Sequence, residues 1–286
     1  MNLISILIAL AIETFWRPVE ELRRFDGFER FTDGFLARSD QQAWRDGPLG
    51  LLVVLGGAVF GVWLVDAMLH GVAAFFSFLF GIAVLVYCLG PKDLERELDA
   101  FLEALERGDE EAACLRATAM LGHDVGDNEQ DMLEQVKAGL VIEANNRLFS
   151  VILWFMLLGP VGAALFRLTI VLRRHLRLID SGFARSVEDL YRILIWLPAR
   201  LLVLGFALAG SFVDTISRWR SFNDIWRADS EALLVESSLG AIAHEPHAEA
   251  GKPDLEGLVQ LMALVKRTLM VWLAVLGLMT LTGWIL

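Results

Sequence analysis

Four stretches of the chain are apolar over lengths suited to a bilayer. Leu49 to Val65 carries no charge. After Asp66 the chain runs from Ala67 to Pro91 without a charged residue and with a single histidine, His70. Leu148 to Phe166 and Thr268 to Leu286 are again uncharged. Each run reaches or approaches about 20 residues, which cover about 30 Å of hydrocarbon as a helix. Two further segments are weaker. Asn2 to Ile12 is short and is followed by Glu13; Ile193 to Val213 is interrupted by Pro198 and Arg200. No strand-type alternation of useful length occurs. The pattern predicts an all-α fold, a polytopic membrane helix bundle with four spans and as many as six.

Between these runs the periodicity changes to that of water-facing helices. Leu94, Leu98, Phe101, Leu102 and Leu105 fall on one helix face, and Gly108-Asp109 breaks the pattern. Ala112, Ala113, Leu115, Ala119 and Met120 continue it. Residues 92–121 therefore predict an αα-hairpin with acidic outer faces. A loop from Gly122 to Asp127 follows, and Asn128 is placed to cap the next helix, with Glu129 and Asp131 in its first turn. The segment 239–257 reads as a loop before the last helix. The expected organisation is 1–89, N-terminal membrane helices with a polar loop at 17–48; 90–147, an acidic helical cytoplasmic insert; 148–212, central membrane helices; 213–267, a cytoplasmic segment of helix and loop; and 268–286, a C-terminal membrane helix.

Composition supports this reading. Of 286 residues 56% are hydrophobic and 21% charged, and the mean hydropathy is +0.53; soluble domains are about 45–50% apolar. Disorder and a disulfide-rich scaffold are excluded. Cys88 lies in an apolar run and Cys114 in an acidic loop, so no bridge is expected. The net charge of −11 argues against nucleic acid as a partner. No basic n-region precedes Leu3 and no small-x-small site precedes Arg17, so the first helix is expected to stay. The blocks 17–48, 90–147 and 213–267 hold six basic residues each, against four arginines in 173–189. With six spans this bias makes the first three blocks cytoplasmic.

Ionisable residues at span ends are the candidates for function, because charge in hydrocarbon is costly. Glu13 ends the first apolar helix. Arg200 needs a carboxylate or a freed carbonyl, and Glu13 and Asp66 are candidate mates. Glu143, Asn145, Asn146 and Arg147 precede the 148–166 run, with Glu143 and Arg147 four apart on one helix face. Such a cluster at the membrane mouth suits an anionic or amide group. Arg173, Arg174, His175, Arg177 and Arg185 form a basic patch whose default partner, if it is cytoplasmic, is anionic lipid headgroups. In His244-Glu245-Pro246-His247 the proline breaks a helical ligand face. There is no phosphate-binding glycine loop, zinc-ligand pattern or nucleophile elbow.

Several of these residues occur in a familiar order. Leu10-x-x-Glu13 comes first, then Asn145-x-Arg147 with the apolar run to Gly159. Trp196-Leu197-Pro198-Ala199-Arg200-Leu201, Gly210, Glu245-Pro246-His247 and a closing apolar helix follow. Over nearly its whole length the chain resembles the AmpE family. That resemblance implies a bacterial inner-membrane sensor or signalling modulator, linked to peptidoglycan recycling and β-lactamase induction. It implies a muropeptide or nucleotide ligand, and a cytoplasmic partner such as a cell-wall-recycling amidase. The ligand would be held by Asn145, Arg147, Arg200, Glu13, Glu143 and Trp196.

The chain is more distantly similar to the CobD/CbiB membrane synthases of cobalamin biosynthesis. Their Gly-Arg-Asp matches Gly122-His123-Asp124, and their Trp-Ile-Pro-Ala-Arg-Leu matches the 196–201 stretch. Their Glu-Asn-Thr-Ser-Asp falls on residues 143–147, where Arg147 replaces the final Asp. This similarity implies an alternative: amide formation with ATP and Mg²⁺, the metal on Asp124 and Glu143. A transporter lined by Glu13, Asp66 and Arg200 is a third class, disfavoured by the lack of an internal repeat.

Overall fold

The computed structural model of the protein describes residues 2–15, 25–37, 43–89, 94–126, 128–222, 228–242 and 255–281. Among these there is no strand. The helices are α1 (Asn2–Phe15), α2 (Asp26–Leu36), α3 (Pro48–Val72), α4 (Ala74–Cys88), α5 (Leu94–Glu106) and α6 (Glu110–Leu121). They continue with α7 (Glu129–Ala144), a π turn (Asn145–Phe149), α8 (Ser150–His175), α9 (Gly182–Ala209), α10 (Phe212–Arg220), α11 (Ser230–Ala241) and α12 (Leu255–Leu281). The all-α membrane bundle is the observed architecture. Both cysteines are free thiols.

Among the described residues, four helical stretches are long and apolar enough to cross a membrane: Pro48–Gly71, Glu129–His175, Gly182–Ala209 and Leu255–Thr280. They differ from the four expected runs in two places. The run from Ala67 to Pro91 does not cross as one span. Ala73 adopts an extended conformation and divides it into the end of α3 and the 15-residue α4, about 22 Å long. Polar groups bridge the break: Ser77 Oγ donates to Asp66 Oδ1 at 2.7 Å and lies 2.7 Å from His70 Nδ1. The weaker run at 193–213 lies mostly within the 28-residue α9, long enough to cross.

The chain forms two compact units. The first comprises 1–91, 150–196 and 279–286; the second comprises 92–149 and 197–278. In the first unit α3, α4 and α1 pack against α8. Leu51, Val54 and Leu55 of α3 meet Leu172, Phe183 and Val187 in one core. The outer face of α3 exposes Leu52, Phe60, Trp63, Leu64 and Met68, an apolar surface that suits lipid chains.

Two prolines shape the long helices α8 and α9. Gly159 has φ 64° and ψ −151°, a region open essentially to glycine. It kinks α8 immediately before Pro160. In α9, Pro198 has no N–H to offer the Leu194 carbonyl. The Trp154 indole Nε1 donates to that carbonyl at 3.1 Å instead. At the start of α9, Ser181 Oγ accepts from Ala184 N at 3.0 Å and Asp46 Oδ1 from Phe183 N at 2.7 Å.

The second unit holds the acidic hairpin, with α5 packed on α6 and both on α7. Its boundaries are set by side-chain caps. Asp109 accepts from Ala112 N, Asn128 from Gln130 N, and Asp229 from Glu231 N and Ala232 N. Gly122, at φ 72°, ends α6 in the left-handed conformation. The C-terminal part of α9 approaches α12 closely at Gly205, where an added Cβ would lie 2.7 Å from Thr268 Cγ2. The Phe149 and Trp272 rings meet edge to face at 5.3 Å. Helix α11 packs on α7 and α10.

Candidate functional site

Helix α7 ends by widening into a π turn over Asn145–Phe149. A π turn accommodates an extra residue and recurs at functional sites. Here it accompanies four buried polar or charged positions in a five-residue stretch: Glu143, Asn145, Asn146 and Arg147 are all buried, and Ala144 is the one apolar residue among them. Arg147 occupies the centre. Its Nε donates to Glu143 Oε2, its Nη1 to Glu97 Oε2 and its Nη2 to the Met120 carbonyl, each at 2.7 Å. One guanidinium thus joins α5, the end of α6, α7 and the π turn. Its side chain is 5% exposed, against 13% for Glu97 and 8% for Glu143. Charges this dry require close pairing.

Asn145 contrasts with its neighbour. It is fully buried, and no protein group bonds its Nδ2 or Oδ1. A buried amide without partners costs about 1–3 kcal/mol. The π turn thus carries an ion-paired cation and, two residues earlier, an unsatisfied neutral donor–acceptor.

Arg200, buried on α9, donates from Nη1 to Ser230 Oγ at 3.1 Å and from Nη2 to the Ala228 carbonyl at 3.3 Å. It meets the first turn of α11, where the helix dipole is positive. Asp229 and Glu231 at that turn offset the unfavourable charge. Asp66, considered above as a mate for Arg200, accepts from Ser77 within the first unit. Trp196 is half-buried in α9. Glu13 lies in α1, but its side chain is outside the described residues, as are Asp127 and the whole of His244-Glu245-Pro246-His247.

Asp124 is exposed in the loop after α6. Among the described residues no group of three or more His, Cys, Asp or Glu stands together to hold a metal ion. The resemblance to the synthases implies Mg²⁺ and ATP, and the oxygens near the π turn test that expectation. Glu143 Oε2, Glu97 Oε2 and the Met120 carbonyl all accept from Arg147. As they stand, these groups do not fit a divalent ion.

The basic patch near residue 175 is partly neutralised within the protein. Arg173 pairs with Glu188 at 2.8 Å and lies 3.9 Å over the Tyr191 ring. His175 Nε2 is 2.6 Å from Asp33 Oδ1, and Arg185 pairs with Asp180 at 2.9 Å.

Sequence reasoning missed Glu97 and Arg167. A signal for Glu97 was present: it lies three residues after Leu94 and four before Phe101, on the apolar face of α5. Arg167, just past the uncharged run, is buried with its guanidinium 5.5 Å from the Phe25 ring centroid.

An all-helical bundle with long apolar helices and a buried polar turn defines a membrane protein with a dry ionic centre joining α5, α6 and α7. The chain belongs to the CobD/Cbib protein family, whose model matches residues 6–256. It is similar to cobalamin biosynthesis protein CobD of Chromobacterium violaceum, at 25% identity over 56% of this chain and 53% of that protein. It is also 25% identical to CobD of Stutzerimonas stutzeri, over 63% of this chain and 59% of the relative. The chain thus matches little more than half the length of these CobD relatives. Against Protein AmpE of Shigella flexneri the identity is 23% over 99% of both chains. No solved structure matches.

Proposed function

We propose that the protein is an inner-membrane modulator of the AmpE type, acting in peptidoglycan recycling and β-lactamase control by binding a small ligand at the π turn. The observation that carries this reading is Asn145, fully buried with both amide atoms unmatched by protein groups. A ligand carboxylate or amide, as a muropeptide offers, satisfies such a side chain. Arg147 contributes by holding the turn, since its charge is already met by Glu143 and Glu97. End-to-end similarity to an AmpE protein supports the assignment. In this proposal the insert 90–147 and the segment 213–267 face the cytoplasm and offer an acidic surface to a protein partner. Membrane lipids cover the apolar helices.

The test is Asn145→Leu in a host with inducible β-lactamase. An apolar side chain removes an unsatisfied amide, so the protein is expected to accumulate and melt as before or slightly higher, while induction is lost. Unchanged induction at equal protein level overturns the proposal. Mass spectrometry of molecules that co-purify in detergent would identify the ligand.

Family membership supports a second reading, an ATP- and Mg²⁺-dependent amide-forming synthase related to the cobalamin enzymes. It expects purified protein to bind Mg-ATP in calorimetry and to join an amine to a carboxylate. Absence of both removes it.

A further inference from the structure

We propose that Arg147 is a tethered cation occupying an all-oxygen site, and that removing its side chain converts the place into a divalent-cation site. The inference rests on the donor set and does not depend on a ligand at Asn145. Three oxygens converge on the guanidinium, two from carboxylates and one from a backbone carbonyl, with no nitrogen or sulfur among them. Hard cations such as Mg²⁺, Mn²⁺ and Ca²⁺ take this set.

Each oxygen is bonded by a different guanidinium nitrogen, so the three approach from different sides. The oxygens also come from chain segments 4, 27 and 50 residues from Arg147. A central positive charge therefore draws three helices together, as a structural metal does. Both carboxylates are nearly dry, and the cation between them offsets the cost of burying two acidic groups side by side. In the protein as it stands that charge is covalently attached. The insert then assembles without regard to divalent-ion concentration.

The experiment uses the full chain in detergent, with Mn²⁺ as the probe in calorimetry and electron paramagnetic resonance, and thermal melts in EDTA against Mn²⁺. The unmodified protein is expected to melt identically in both buffers and to bind no Mn²⁺ that Glu143→Gln removes. Arg147→Ala is expected to bind one additional Mn²⁺ and to melt higher with it. Adding Glu97→Gln to that variant should weaken the binding by about tenfold or more. Arg147→Asn serves as a second variant that fills more of the space. Folding of either variant only with Mn²⁺ present agrees with the proposal. Three results overturn it: Mn²⁺ binding by the unmodified protein that Glu143→Gln abolishes; a folded Arg147→Ala or Arg147→Asn that gains no Mn²⁺; or failure of both variants to fold even with Mn²⁺, since the ion then does not replace the guanidinium.

Discussion

Replacing Arg147 by Met keeps an unbranched apolar stem and deletes the charge at the centre of the insert. Three acceptors each lose a donor at 2.7 Å, two of them carboxylates whose side chains are 13% and 8% exposed. Breaking a buried pair from one side costs about 3–5 kcal/mol, because the remaining charge is stranded. At about 1.4 kcal/mol per factor of ten, the opening equilibrium shifts by roughly two to nearly four orders of magnitude. Hydrogen exchange in detergent, read by mass spectrometry on α5, α6 and α7, reports local opening without requiring a two-state melt. Arg107→Ala is the internal control. Arg107 follows the end of α5, its partner Glu103 lies four residues back on that helix, and both side chains are more than half exposed, so the loss there is about 0.5 kcal/mol or less. The combined variant Glu97→Gln, Glu143→Gln, Arg147→Met removes the stranded charges and should recover much of the protection. If Arg147→Met changes exchange no more than Arg107→Ala does, the ionic centre does not hold the insert together.

Further outcomes follow from other contacts. Trp154→Phe removes the one side-chain donor to the Leu194 carbonyl and should cost about 1–3 kcal/mol in thermal or denaturant unfolding; Pro198→Ala restores a backbone N–H for that carbonyl and should rescue part of the loss. Gly159→Ala meets nothing within 4 Å, so its expected cost of about 1–3 kcal/mol comes from the backbone alone, and a melt equal to that of the unmodified protein would refute this. Gly205→Ala places a Cβ 2.7 Å from Thr268 Cγ2 and should destabilise by about 1–3 kcal/mol; adding Thr268→Ser deletes the clashing methyl and should recover stability in the same assay.

The apolar helical character, the acidic hairpin with its break at Gly108-Asp109 and the Asn128 cap were legible in the sequence because each depends on local spacing. Hydrophobic runs report span length. Asp109, Gly122 and Asn128 act on backbone groups within a few residues of themselves. The four-residue spacing of Glu143 and Arg147 likewise announced their ion pair, since residues one turn apart share a helix face. The division of the 67–91 run was less legible. Its signals were Asp66, His70 and Ser77, polar residues in apolar surroundings, yet their mutual bonding appears only once α3 and α4 fold against each other.

What Arg147 does was decided by tertiary structure. Read along the chain, a positive residue at a membrane mouth suggests a free charge for an anionic ligand. In the fold its terminal nitrogens donate to Glu97, 50 residues away, and to the carbonyl of Met120. Asn145 acquires its interest by the same route, because burial without a protein partner is a property of packing. The sequence by itself determined that the chain is helical and which stretches are apolar enough for lipid, for these follow from local composition and spacing, while the break at Ala73 and the extent of the last helix came from the fold. Only the packing of distant helices decided which charge is matched and which polar group is left open, because a partner 27 or 50 residues away leaves no periodic trace beside the residue it binds.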